Sequence, residues 1–542
     1  MLTMNHVRKI WRGAAVALAV AAPATAQAAG WTPAVEPLGA DGGGSTPALA
    51  ANADGDLVVA GGDGPLAAIR LGGAAFTAPV RVGTGAAQDV HAAINAGGDV
   101  AVAWFAGGAV HYAVRPRGGR FGTVHDLPSA GNGIDDVRVG IDDTGEVALA
   151  WSGIAHGWPD LHYAVFGPDG ATLAAGANDP AKNAGAYFDV AADGDGNVVV
   201  AYSETDGTSS TPVAAVRAAG GSTFSVAPLG AGFSGTMPRL DAVLDGAGHA
   251  AVAFESSIDD VLEVHAAYAA AGGAFGPELA VSTPGQSSLR PMIGLGARGD
   301  VAITWTDPWT MKARVRTGTA GQPFTAPITT FSTGTGRPAV AVAPNGRTVA
   351  AWSAPAADGK SVFSAVREPG DAFVEQAPLG PGPSGHALDQ PYTPVAIDSQ
   401  GHAYLAWLNA GRLELTTDDP AGLAVAPPSV VHGDPAPGET GTTGTGRSTS
   451  GDGAVPVPAP RAASPRRCKV PALTGLSYVS AKARLRSAHC AIGKATRPKG
   501  RRTTGGLVIG RQSRRAGTLT KAGAKVDVLL RVKKRQKPTH RR

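Results

Sequence analysis

An apolar run ending in an aromatic residue returns about every fifty residues along most of this 542-residue chain. It occupies residues 100–104, 147–151, 198–202, 250–254, 301–305, 349–352 and 403–407, with a weaker first copy at 57–61. The last residues of these runs lie 43, 47, 51, 52, 51, 47 and 55 positions apart. Such a period marks a supersecondary unit that cannot bury its apolar face alone and must stack on its neighbours.

Each unit reads as four strands. The first precedes a turn that carries Asp, Asn or Gly, as at Asn345-Gly346, residues that accept positive φ. The second is the apolar run with its terminal aromatic. The third alternates, as in His162-Tyr163-Ala164-Val165. The fourth opens on an aromatic and contains Pro, as in Phe76-Thr77-Ala78-Pro79 and Phe324-Thr325-Ala326-Pro327, so it belongs at a sheet edge. The small apolar residues of strands one and two predict a sheet buried on both faces. Four-stranded units at this period describe an all-β fold, an eight-bladed β-propeller over residues 29–416. Setting the weak copy aside gives seven blades, and an open sandwich array is the other arrangement such strands allow. The last unit stops near residues 413–415, after strand three. Residues 31–38 read as a strand four, so the N-terminal strand is predicted to complete the last blade.

With 43% hydrophobic residues the chain can build a core, and with 6% aromatics that core is mostly Ala, Val and Leu. Two cysteines exclude a four-thiolate zinc site. Arg8, Lys9 and Arg12 precede a short apolar run at 13–22, Pro23 and Ala26-Gln27-Ala28, the pattern of a secretory signal peptide over 1–28. An uncleaved anchor is the alternative, although the run is too short to span a bilayer. No later stretch reads as a transmembrane helix. The mature protein is expected outside the cytoplasm, associated with the cell wall.

The propeller region is loosely similar to secreted bacterial propellers of the sialidase-like or Asp-box type. The Asp-box spacing is not kept between Asp142 and Trp151, and the turn falls between strands one and two, so no catalytic residue carries over.

Charge divides the chain. The formal net charge is +4, but residues 466–542 carry 23 Lys and Arg against the single acid Asp527. Behind a signal peptide, such a basic block points to anionic wall polymers, acidic glycans or membrane headgroups rather than nucleic acid. Residues 417–466, rich in Pro, Gly, Thr and Ser, read as a disordered linker, and 533–542 as a basic tail. Between them stand Cys468-Lys469-Val470-Pro471, a helical stretch at 478–489 with Ala481, Leu485 and Ala488 on one face, and Cys490-Ala491-Ile492-Gly493. Strand-like runs follow at 506–513 and 521–528. Residues 467–532 resemble a PASTA domain, the small module of penicillin-binding proteins and bacterial receptor kinases. The resemblance implies a non-catalytic α+β module, for which peptidoglycan binding is proposed in the family. Cys468 and Cys490 can staple the strand before the helix to the one after it; two free thiols are the alternative.

Aligning the units on the turn Gly places Thr46, Asp89, Asp136, Tyr187, Arg239, Arg290, Arg337 and Tyr392 at one position, where strand one starts at the channel mouth. Arg239, Arg290 and Arg337 then come from consecutive units. Adjacent guanidiniums suit a carboxylate or phosphate because each donates in a fork. Tyr187 and Tyr392 can stack or donate, completing the candidate ligand site. Glu204, Glu255 and Asp307 follow the strand-two aromatics and are expected on the same face. His156, His162, His265 and His402 have no ligand spacing, and no G-x-S-x-G, H-E-x-x-H or P-loop occurs. No cofactor, metal or catalytic residue is expected. The function expected is a secreted non-enzymatic envelope protein. In it the propeller serves as a recognition or scaffold disc for an acidic glycan or protein, and the basic module tethers it to peptidoglycan or an anionic glycopolymer. An acidic-glycan hydrolase or lyase at the mouth is the alternative.

Overall fold

The computed structural model describes residues 30–39, 47–425 and 467–532, with internal gaps. The predicted signal peptide, most of the predicted linker, the basic tail, Thr46, His156 and Tyr392 lie outside the described residues.

Among the described residues between 48 and 417, the strands form eight antiparallel sheets in chain order. Their first strands are Ala48–Ala51, Asp89–Ile94, Val137–Ile141, Asn183–Ala192, Leu240–Leu244, Leu289–Leu295, Thr335–Val342 and Val395–Ile397. Each first strand packs against that of the next sheet, and Val395–Ile397 packs back against Ala48–Ala51. Residues from all eight first strands enclose a central cavity of about 430 Å³. This arrangement is a β-propeller.

The turn between strands one and two explains why the repeat is visible in the sequence. Asp142 Oδ1 accepts from the N–H groups of Thr144 and Glu146, both at 2.8 Å. Asp193, Asp245, Asp398 and Asn52 make the same pair of bonds two and four residues on. This is an Asx turn, and within it Gly145 takes positive φ at 85°.

Second strands such as Leu57–Gly61 and Val100–Ala106 are buried throughout. Their terminal aromatics fill the space between sheets: Trp104 packs with Val58 and Ile69 of the preceding sheet. First strands depart from the expected burial on both faces. Asp89–Ile94 is mostly half-buried, because one face lines the channel.

Strand four also differs from expectation. The paired segments are Val80–Arg81 and Thr329–Thr330, just beyond the predicted Phe76 to Pro79 and Phe324 to Pro327. Proline has no N–H to donate, and in these two units the ladder lies beyond it, whereas Ser225–Pro228 pairs up to and including its proline. Phe76 is instead 1% exposed, in the core where the first and last sheets meet. At that junction Val35 and Leu415 exchange two backbone bonds of 2.9 Å, and Thr32 N–H donates to Thr417 at 2.8 Å. The N-terminal segment thus lies along Arg412–Thr417, the third strand of the last sheet.

In the C-terminal region Cys490–Thr496 runs parallel to Ala524–Val532, with Leu507–Gln512 antiparallel on its other side. Arg467–Lys469 pairs with Leu519–Lys521. Ala481 and Leu485, on helical backbone, are buried with Val470, Leu473, Ile509 and Val526. Cys468 and Cys490 form a disulfide, which sets aside the two free thiols.

Candidate anion-binding site at the channel mouth

Strand one starts at the end of the channel opposite the Asx turns. There Arg239, Arg290, Arg337 and Tyr187 line one cavity of about 230 Å³, together with Asp136 and Arg138. The Arg239 guanidinium stands 4.8 Å from the centroid of the Tyr187 ring, a cation–π contact. Arg337 Nη2 donates to the Leu240 carbonyl at 3.2 Å and lies 3.5 Å from Asp241 Oδ1.

Arg290 is set by its backbone. Its φ is 61°, a left-handed conformation rare outside glycine, and the pairing register shifts between Leu289 and Met292. Such a bulge re-aims a side chain at a strand start. Glu255 holds it in place: Oε1 accepts from Arg290 N–H at 2.8 Å and Oε2 from Arg239 N–H at 2.9 Å. Glu255 Oε1 is also 3.9 Å from Arg239 Nη1. Burial pushes the Glu255 carboxyl above its ordinary range, against the pull of those N–H groups and of both arginines. One buried carboxylate thus joins two consecutive sheets and positions two of the arginines.

A second polar layer lies deeper. The Arg138 guanidinium pairs with Asp136, donates to His91 Nε2 at 2.8 Å, and lies 3.7 Å from Asp89 and 3.9 Å from Asp189. Burial raises the Asp136 carboxyl well above its usual range; Arg138 opposes this and neighbouring Asp89 reinforces it. Burial also opposes ionisation of Asp89, but His91, Asp136 and Arg138 outweigh it and hold that carboxyl far below its usual range. The ligand-type atoms of Asp89, His91 and Asp136 lie within 4.8 Å of one another, but the Arg138 guanidinium contacts all three residues and supplies the positive charge itself. Asp241, buried beside Asp189, is pushed up to about 8.

These carboxylates also tie neighbouring sheets together. Asp89 accepts from Val137 N–H at 2.9 Å, Asp189 from Ala242 N–H at 3.0 Å, and Asp241 from Ile293 N–H at 2.8 Å. His91, Arg138, Asp189 and Asp241 were not among the residues expected from sequence. All stand two positions after the aligned set, and the two-residue period of a strand would have pointed to them.

The other expected residues are spread over separate places. Glu204 pairs with Lys182 at 2.9 Å. Asp307 pairs with Arg314 and accepts from Trp309 and Thr310 N–H. His162, His265 and His402 sit beside Asp160, Glu263 and Asp398 in separate sheets. Among the described residues no helix is long and apolar enough to cross a membrane.

No protein-family model matches the chain, and no curated protein matches it. Solved structures are similar at low identity. The Dos1 propeller is 10% identical, covering 73% of this chain and 97% of its own, at a TM-score of 0.46. A polysaccharide lyase, the PL25 ulvan lyase bound to -[GlcA(1-4)Rha3S]-, is 14% identical, covering 64% and 98%, at 0.39. The WD40 domain of Toxoplasma gondii coronin is 12% identical, covering 63% and 83%, at 0.36. The sheets and their ring packing define this chain as a β-propeller with a polar, arginine-lined mouth.

Proposed function

We propose that this is an exported, non-enzymatic binding protein with an eight-bladed propeller that recognises an anionic group at its mouth. Its basic C-terminal module, PASTA-like, tethers it to peptidoglycan or an anionic wall polymer. The observation that carries recognition is the convergence of Arg239, Arg290 and Arg337 beside Tyr187 in one cavity. Guanidiniums fixed in place by packing and by a buried carboxylate lose little freedom when they meet an anion. Eight sheets with the N-terminal segment along the last support the blade count. The mixed sheet, the helical backbone at Ala481 and Leu485 and the disulfide support the PASTA-like module.

The three carboxylates expected from sequence, Glu204, Glu255 and Asp307, favour binding over turnover. Catalysis of glycoside cleavage needs a carboxyl that can exchange a proton with substrate. Both Glu255 oxygens accept backbone N–H groups, Glu204 holds Lys182, and Asp307 caps a loop. Each is occupied in the structure itself.

Calorimetric titration of the full chain with D-galacturonate tests the mouth. Binding that weakens at least tenfold in Arg337→Ala and falls with added salt is expected; unchanged affinity in Arg337→Ala overturns it. For the tether, the full chain should sediment with purified walls at low salt and a chain ending at residue 466 should not. Equal sedimentation of both removes that role.

A further inference from the structure

We infer that the mouth face holds an extended acidic polysaccharide, with the arginine cavity taking one carboxylate and Trp309 stacking on a sugar ring further along the same chain. This rests on the anion-binding role proposed for the cavity and names its ligand class. Four tryptophans, Trp104, Trp305, Trp352 and Trp407, are fully buried, so the fold has ample room to hide indoles. Trp309 is 84% exposed, the most exposed large hydrophobic side chain among the described residues.

The segment that carries it is held tightly. It is the four-residue connection between Asp307 and Lys312, which pair directly across the hairpin. Asp307 Oδ1 accepts from Trp309 N–H at 2.9 Å and Thr310 N–H at 3.1 Å, while its other oxygen pairs with Arg314. Pro308 restricts the backbone before the indole, and Met311 closes the turn at a φ of 52°. An aromatic on a pre-ordered turn offers a large contact area at small entropic cost.

Its position ties it to the arginines. Leu289, the neighbour of Arg290, pairs with Thr306, three residues before Trp309. Three residues of chain and one strand spacing put the Trp309 backbone on the order of 10 Å from that of Arg290, on the same end of the propeller. A single sugar does not reach both contacts; a short oligosaccharide does. The pair selects a chain that carries carboxylates for the guanidiniums and apolar C–H faces for the indole.

The test compares D-galacturonate with hexagalacturonate on the full chain, by calorimetry and by acrylamide quenching of tryptophan fluorescence. The hexamer should bind at least tenfold tighter than the monomer and protect one exposed tryptophan from acrylamide. Trp309→Ala should lose about tenfold in hexamer affinity and keep monomer affinity, with Trp309→Phe in between. Unchanged hexamer affinity in Trp309→Ala, with monomer binding intact, overturns the inference and leaves the arginine cavity standing. Absence of any binding by the parent overturns both. A hexaglutamate peptide that binds as tightly as the hexamer, with the same dependence on Trp309, overturns the assignment to a polysaccharide.

Discussion

Replacing Glu255 separates structural from catalytic roles at the mouth. The side chain is 1% exposed and accepts two backbone N–H bonds, one from each of two consecutive sheets. Glu255→Ala removes the acceptor of both bonds. A buried donor left unsatisfied costs about 1–3 kcal/mol, so the pair costs roughly 2–6 kcal/mol. Arg290 also loses the contact that holds its left-handed backbone, so the bulge is free to relax and the arginine to leave the cavity. Glu255→Gln keeps one acceptor oxygen but turns an amide N–H₂ toward the second donor, and should fall between parent and Ala. The assay is urea unfolding followed by far-UV circular dichroism, with galacturonate titration of the folded variants. Loss of stability and of affinity together, largest for Ala, is expected. A Glu255→Ala protein as stable as the parent refutes the clasp. A Glu255→Gln protein of parental stability that loses a glycan-cleaving activity of the parent would make Glu255 an acid–base residue instead.

Three further outcomes follow from the structure. Asp241 is raised to about 8, so the folded state binds a proton that the unfolded chain releases near pH 4; its contribution to stability is present below that and lost as pH rises toward 8. Asp241→Asn, which keeps an acceptor for Ile293 N–H, should flatten this decline in melting temperature, and an unchanged pH slope would count against the assignment. Reducing the Cys468–Cys490 disulfide, with its separation of 22 residues, should cost the C-terminal module about 3 kcal/mol in the chain-entropy model. Denaturant curves with and without reductant test it, and coincident curves speak against a stabilising bond. Deleting residues 30–38 removes the Val35 and Thr32 backbone bonds and buried Leu38, worth roughly 2–3 kcal/mol in apolar burial alone. Melting of the truncated chain at the parental temperature would mean the ring does not depend on that strand.

Much of the architecture was legible from residues alone because its signals are local. An Asx turn needs Asp or Asn, its positive-φ position favours Gly, and a strand between two sheets needs an unbroken apolar run, so Asp142-Asp143-Thr144-Gly145 and residues 147–151 announce themselves. The outer strand of the first sheet lies a few residues beyond its expected place, since Phe76 reads equally as a strand start or a core plug. Only the packing of the first sheet against the last settles it. Aligning the repeats brought Arg239, Arg290 and Arg337 to one position, and the structure places them around one cavity.

What the sequence determined, then, is the repeat, the sheet-forming segments and the shared position of the three arginines, all set by local hydrogen bonding and strand period. Only the tertiary structure decided what stands around them. That Glu255 reaches two backbone N–H groups, that Arg138 sits among Asp89, Asp136 and His91, and that Asp241 lies beside Asp189 depend on neighbouring first strands meeting around one axis. The partners that reach across to a neighbouring sheet stand 35 to 52 positions away in sequence. Charges so placed interact through the distances and burial that ring closure imposes, and no local pattern encodes either.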